Sequence, residues 1–311
     1  MFSWKDKKIL ITGATGFIGG ALANELGEKD AHIFATYNKK LPPKNNYTYI
    51  KGDVSSVEFV FALFQKHSFD YCFHLAAQPL VDIAEKNPLP TFKSNIEGTW
   101  NVLEASRKSK IKGIIVASTS HVYGENDLPF IEDFFPKPTR PYETSKACAD
   151  MIAQTYANYY RLPVAIARCS NIYGPGDTNK RLIPRTVLRI LNGKNPEIYQ
   201  SQTTRDYMYI ADAVSAYITL AEKINLIDPA RNVVFNFGTG NHYTNAAVVK
   251  KILDQMGKPY KNSYIVNTGR NQEINKQYVS IQKAKKILNW FPSVSLEKGL
   301  ELTVKWYENH L

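Results

Sequence analysis

The chain has 311 residues, 44% of them hydrophobic, and 39 Lys and Arg against 28 Asp and Glu, a formal net charge of +11. That length can bury a full core in one large domain with a smaller lobe, while no apolar run approaches the roughly 20 residues that cross a bilayer. The lysines are dispersed, with no basic stripe carrying stacking aromatics, and Cys72, Cys148 and Cys169 form no Cys-x-x-Cys pair, so nucleic acid, a membrane span, a disulfide frame and a metal are all disfavoured. Reduced thiols suit the cytoplasm. The surplus positive charge suits a solvated surface or an anionic substrate.

From the amino end, Lys7 to Thr12 reads as a short buried strand running into Gly13-Ala14-Thr15-Gly16-Phe17-Ile18-Gly19 and then a helix to Leu26. Gly13 permits a tight turn, Gly16 lets backbone approach a pyrophosphate, and Gly19 allows close helix packing. The amide-rich helix start at Phe17 and Ile18 favours an anion. A secretory signal is the rival, from Lys5, Lys7 and Lys8 to Ala21-Leu22-Ala23; the glycines and the strand-turn-helix continuation make it the poorer reading.

Further strand-like runs, Ala31–Thr36, Tyr49–Asp53, Tyr71–Leu75, Gly113–Ser118 and Val164–Arg168, alternate with helical segments. This predicts an α/β fold, a doubly wound parallel sheet of Rossmann type with a smaller C-terminal substrate lobe. The dinucleotide-binding domain is expected over 1–170, with about 205–240 returning to it. The lobe is expected over 171–204 and 241–311. Ligands of such sheets lie beyond the carboxyl ends of the strands, where Gly13, Ala76, Ala77, Thr119 and Asn171 would converge.

After a loop at Leu128–Pro141 come Tyr142 and Lys146, four residues apart and so on one helix face. An ammonium beside a phenol favours phenolate and would lower the tyrosine pKa toward a range useful for exchanging a proton with a hydroxyl. The alternative is an ordinary helix carrying both residues.

Jointly and in order, these segments resemble the extended short-chain dehydrogenase/reductase family, in its nucleotide-sugar epimerase, dehydratase and 4-keto-reductase group. The likeness also rests on Gly52-Asp53-Val54, His74 to Gln78, Asn95 to Asn101, Ser118 to Gly124, Arg168 to Gly176, Arg205-Asp206-Tyr207 and Asn289 to Pro292. It implies Tyr142 as acid/base, Lys146 as its tuning partner and nicotinamide-ribose contact, and Thr119 as hydrogen-bond partner of the reacting sugar oxygen. It implies cofactor contacts at Gly13, Gly16, Phe17, Ile18, Gly19, Asn38, Lys39, Asp53, Val54, Ala76, Ala77, Asn95, Tyr142 and Lys146. Substrate contacts are expected at Gln78, Thr119, Ser120, Asn171, Arg205 and Arg270, the arginines on a diphosphate; Arg205 could instead pair with Asp206 or another acid. A homodimer through helices near Thr91–Lys108 and Tyr142–Tyr160 is also implied.

The reaction is less sharply drawn. Ala76 to Val81, Thr144 to Ala149 and Arg181 to Pro184 resemble the CDP-glucose 4,6-dehydratase branch, and Ser118-Thr119-Ser120 resembles GDP-mannose 4,6-dehydratase. Dehydratases place ionisable residues directly after the Thr119 position, where this chain has Ser120 and His121. His121 could serve as a base at C5 or simply pack, and Ser120 is a poor acid. That leaves 4-epimerisation narrowly ahead of 4,6-dehydration and of an NADPH-dependent 4-keto-sugar reduction; a non-catalytic cofactor-sensing regulator is the remaining alternative. Tyr37-Asn38-Lys39-Lys40 ends the second strand without an acid, so NAD and NADP both stand.

Overall fold

The computed structural model describes residues 2–39, 43, 45–177, 181–230, 232–266 and 274–310. Its main sheet has seven parallel strands. Six are β1 (Lys8–Thr12), β2 (His32–Tyr37), β3 (Thr48–Lys51), β4 (Tyr71–His74), β5 (Gly113–Thr119) and β6 (Val164–Cys169). The seventh, Val234–Phe237, lies at the edge beside β6, and the order from there is β6, β5, β4, β1, β2, β3.

The strands are apolar because both faces are covered. β6 is buried along all six residues and β4 along all four. Helix α1 (Phe17–Gly27) packs on helix Ile210–Glu222 on one side, while Gly98–Lys108 packs on both Val57–Lys66 and Pro141–Tyr160 on the other. The chain order reverses between β1 and β4, so a crevice opens beyond their carboxyl ends. β3 ends at Lys51, which leaves Asp53 on the loop after it rather than within the strand.

Beyond β6, strand Asn171–Tyr173 pairs with Tyr207–Tyr209. Helices Leu182–Leu191, Asn245–Gln255 and Leu296–His310 pack on one another. A small separate core of Ile198, Val249, Leu253 and Tyr264 holds this second layer together.

Candidate active site

Gly13 has φ +73°, and a Cβ there would stand 2.8 Å from the Ala76 nitrogen. The turn after β1 therefore presses on the backbone after β4, and only glycine fits. A Cβ on Gly19 would meet the Gly13 carbonyl oxygen at 2.4 Å, so α1 sits directly on the turn. Gly16 caps α1 without a side chain, and the first turn carries no acid. Its free amides suit a pyrophosphate, so Gly13 to Gly19 fit the dinucleotide expected there.

From this turn a hydrogen-bonded chain runs to the tyrosine helix. Thr12 Oγ1 lies 2.8 Å from His74 Nδ1, and His74 Nε2 lies 3.1 Å from Thr99 Oγ1. Because the Thr99 hydroxyl donates to the Asn95 carbonyl at 2.6 Å, His74 must donate from Nε2 and accept at Nδ1. Burial, with Lys146 acting in the same direction, pushes the His74 pKa down to about 3, so the ring is neutral. The Asn95 amide donates to Ser145 Oγ at 2.9 Å, and that hydroxyl donates to the Tyr142 carbonyl at 2.7 Å. A π-helical segment, Lys93–Glu97, carries Asn95.

Tyr142 and Lys146 lie one turn apart on helix Pro141–Tyr160. Lys146 is buried, and its Nζ donates to the Ala117 carbonyl on β5. Burial lowers its pKa to about 8, opposed by the charge of Asp150. Asp150 is itself held by Arg168 through two bonds of 2.9 Å and by Ser118 at 2.7 Å.

The phenol behaves differently from the sequence expectation. Burial raises the Tyr142 pKa above the ordinary tyrosine value, and the opposing groups are first Arg181 and then the Thr119 hydroxyl. Lys146 directs its Nζ to the Ala117 carbonyl, and desolvation outweighs the groups that favour phenolate. Arg181, which sequence reasoning missed as a site residue, donates to the Ile172 carbonyl at 3.2 Å and pairs with Asp177 at 3.8 Å.

Thr119 ends β5, and its Oγ1 accepts the His121 N–H at 3.3 Å, opening the 3-10 turn Ser120–Tyr123. Ser120 is buried. The His121 ring stands edge-on to Tyr142 with centroids 6.4 Å apart, and its Nδ1 is 3.7 Å from Glu143 Oε1.

Arg181, which acts on Tyr142, also lines a cavity of about 580 Å³ together with Asn171, Arg185, Tyr199, Arg205 and Asn245 among others. Asn171 and Arg205 thus meet at one cleft. The Arg205 guanidinium donates to the carbonyls of Thr204 and Ile274. The Asp206 carboxylate instead accepts from Thr239 and Gly240, so the alternative ion pair between neighbours is not what orients this arginine. The Arg185 guanidinium lies over the Tyr199 ring at 4.7 Å.

Other expected residues fall elsewhere. The Gln78 side chain is occupied by Leu80 and Thr91, so it shapes its own loop. Asn38 is exposed and donates to Asp53 at 3.0 Å. Burial draws the Asp53 carboxyl upward, but Ser55, Asn38 and Lys93 together hold it below the ordinary value. A carboxylate therefore does stand at the end of β2, supplied by the loop after β3. Lys39 is exposed, Val54 is buried beneath Gly98, and Ala77 is half-buried beside Ala76. Arg270 and Lys40 lie outside the described residues.

A family model described as the NAD dependent epimerase/dehydratase family matches residues 9–238. The chain is 33% identical over 99% of its length to an Arabidopsis thaliana trifunctional UDP-glucose 4,6-dehydratase/UDP-4-keto-6-deoxy-D-glucose 3,5-epimerase/UDP-4-keto-L-rhamnose-reductase, of which it spans 48%. Among solved structures, UDP-glucose 4-epimerase from Thermotoga maritima, determined with UDP-glucose, superposes with a TM-score of 0.88 at 30% identity, covering 97% of this chain and 99% of that one. The dTDP-glucose 4,6-dehydratase from Bacillus anthracis, in complex with NAD, gives 0.84 at 28% identity and 97% of both chains.

Proposed function

The chain belongs to the NAD-dependent epimerase/dehydratase family, and we propose that it oxidises C4 of a hexose carried on a nucleoside diphosphate, then returns the hydride to the same sugar. The observation that carries this is the Thr119 hydroxyl acting on Tyr142, with Lys146 one turn along the same helix, tied to the glycine turn through His74 and Asn95, while Arg181 reaches from Tyr142 to a cavity lined by Asn171 and Arg205.

Thr119 would hold the C4 oxygen, and Tyr142 would take its proton as the hydride leaves C4. Bound NAD would supply the hydride acceptor and, oxidised, a positive charge that favours phenolate. Gly13, Gly16 and Gly19 would seat its pyrophosphate, with Asp53 and Asn38 toward the adenosine. Asp53 supports NAD over NADP, because a second negative charge beside a 2′-phosphate is unfavourable. Arg205, Arg185 and Asn171 would hold the diphosphate, and Arg181, which lines the same cavity and acts on Tyr142, would add a cation near both.

Return of the hydride to the opposite face of C4 needs only Thr119, Tyr142 and Lys146, and gives the 4-epimer. A second reading, loss of water across C5 and C6, is favoured by one observation: an imidazole, His121, stands beside the phenol with a carboxylate behind it. Exposed Trp100 on helix Gly98–Lys108, with Met151, Tyr159 and Tyr160 on helix Pro141–Tyr160, supports a homodimer formed through these helices.

Incubation with UDP-, GDP-, CDP- and dTDP-hexoses, followed by nicotinamide absorbance and product NMR, tests the proposal. Turnover without net consumption of reduced cofactor is expected. Stoichiometric consumption would mark a reductase, and unchanged sugars would mark a regulator.

A further inference from the structure

The loop before the tyrosine helix is fastened to the turn after β5, because the Lys137 N–H donates to the Val122 carbonyl at 3.0 Å. This closure brings residues 22 positions apart, His121 and Glu143, to face one another. Glu143 is 2% exposed, far deeper than a surface acid in a first helical turn. Burial draws its carboxyl upward, yet His121, the Thr139 N–H and Arg140 hold it below the ordinary value, so it is a carboxylate.

The two oxygens are divided. Oε2 accepts the Thr139 N–H at 3.2 Å and the Thr139 hydroxyl at 3.4 Å, which fastens the loop before the N-cap Arg140 to the first turn of the helix. That fastening needs no more than this one oxygen and no charge. Oε1 faces His121 Nδ1 at 3.7 Å, and His121 Nε2 has no hydrogen-bond partner among the described residues. The imidazole is half-buried rather than sealed, beside the Tyr142 ring. Carboxylate–imidazole bonds at catalytic sites are often long until substrate binds.

We propose that Glu143 is a positioning residue that holds the Nδ1–H tautomer of His121, so that Nε2 removes the C5 proton of the 4-keto sugar. The inference rests on C4 oxidation as proposed above, and it selects the second way of closing the cycle. A ketone at C4 acidifies the C5–H bond, because the electron pair left behind spreads onto the C4 oxygen. Nε2 takes the proton and the C4–C5 enolate forms. Its electron pair then expels the C6 oxygen, which leaves as water with the proton from the imidazolium. The hydride adds to C6 while Tyr142 gives the proton it took from O4 to C5, which restores the phenolate. The sugar loses one water, with no net oxidation or reduction. One imidazole thus serves as base and then acid, which answers the lack of an acidic side chain at Ser120.

The test uses the full chain and its Glu143→Gln, Glu143→Asp and His121→Ala variants, with UDP-glucose and dTDP-glucose in deuterated water. Single-turnover nicotinamide absorbance reads C4 oxidation, NMR reads deuterium at C5, and far-UV circular dichroism checks folding. Glutamine can still accept the Thr139 bonds. Glu143→Gln is therefore expected to leave C4 oxidation within about threefold while slowing C5 exchange by at least about tenfold, with partial recovery in Glu143→Asp. Unchanged exchange, or an equal fall in both rates, would overturn the assignment. So would C4 oxidation by the unaltered protein without C5 deuterium, which leaves the C4 proposal standing. No reduced cofactor with either sugar, nor with the GDP- and CDP-hexoses, would remove both.

Discussion

Asp150→Asn probes the support beneath Lys146. Asp150 and Arg168 are each 1% exposed and share two bonds of 2.9 Å, with Ser118 and Gln154 each donating a further bond of 2.7 Å to the carboxylate. Burial alone would raise the carboxyl, but Arg168, Ser118 and Gln154 hold it below the ordinary value. Arg168 lies over the Tyr123 ring at 4.7 Å and keeps its charge after the substitution. An isolated buried cation costs about 3–5 kcal/mol, which at about 2–4 °C per kcal/mol lowers Tm by about 6–20 °C. Thermal melts by circular dichroism at pH 7 read this. The sign with pH follows from the depressed carboxyl: its contribution is full above the ordinary aspartate range and is lost as pH falls through the folded value, so the two melting curves converge in acid. Loss of the Asp150 charge also moves Lys146 below about 8, shifting the alkaline limb of turnover to lower pH. Adding Arg168→Met should restore much of the stability. A single variant melting within about 2 °C of the original, or a double variant no better than the single, would refute the reasoning.

Lys146→Met should abolish measurable turnover yet stabilise the fold at pH 7. The native pKa of about 8 lies below the ordinary 10.5, so the burial cost is full below about 8. It is relieved as pH rises from there toward 10.5, because the native state sheds its proton first. Urea unfolding should show a gain on the order of 1–3 kcal/mol at pH 7 that fades by about pH 10; equal stability across that range would contradict it. Gly19→Ala would place a Cβ 2.4 Å from the Gly13 carbonyl oxygen and push α1 off the turn. NAD affinity measured by calorimetry should fall at least about tenfold, from the 1–3 kcal/mol cost of overpacking; unaltered affinity would show that the turn does not seat the cofactor.

Much of this was legible because it is local. The strand Lys8–Thr12, the glycine turn and α1 follow one another in sequence, and the positive φ of Gly13 is a property of that turn alone. Tyr142 and Lys146 share a face by helical spacing. What escaped depends on distant segments. Glu143 stands beside Tyr142 in the sequence, but its role exists only because the turn Ser120–Tyr123 folds against it. The Asp53 carboxylate reaches the end of β2 only through the pairing of β2 with β3. Arg181 acts on Tyr142 only because helix Leu182–Leu191 is brought over the site. The direction of the Tyr142 shift is the same kind of failure, since spacing places an ammonium near a phenol and says nothing of how much water both have lost.

The most direct measurement is nicotinamide absorbance after mixing the NAD-loaded Tyr142→Phe variant with a hexose that the unaltered protein converts. NAD binding should persist, while turnover and formation of reduced cofactor both fall at least about a hundredfold, the lower range for loss of a general acid or base. Turnover close to that of the unaltered protein would contradict the claim that this phenol moves the proton at C4.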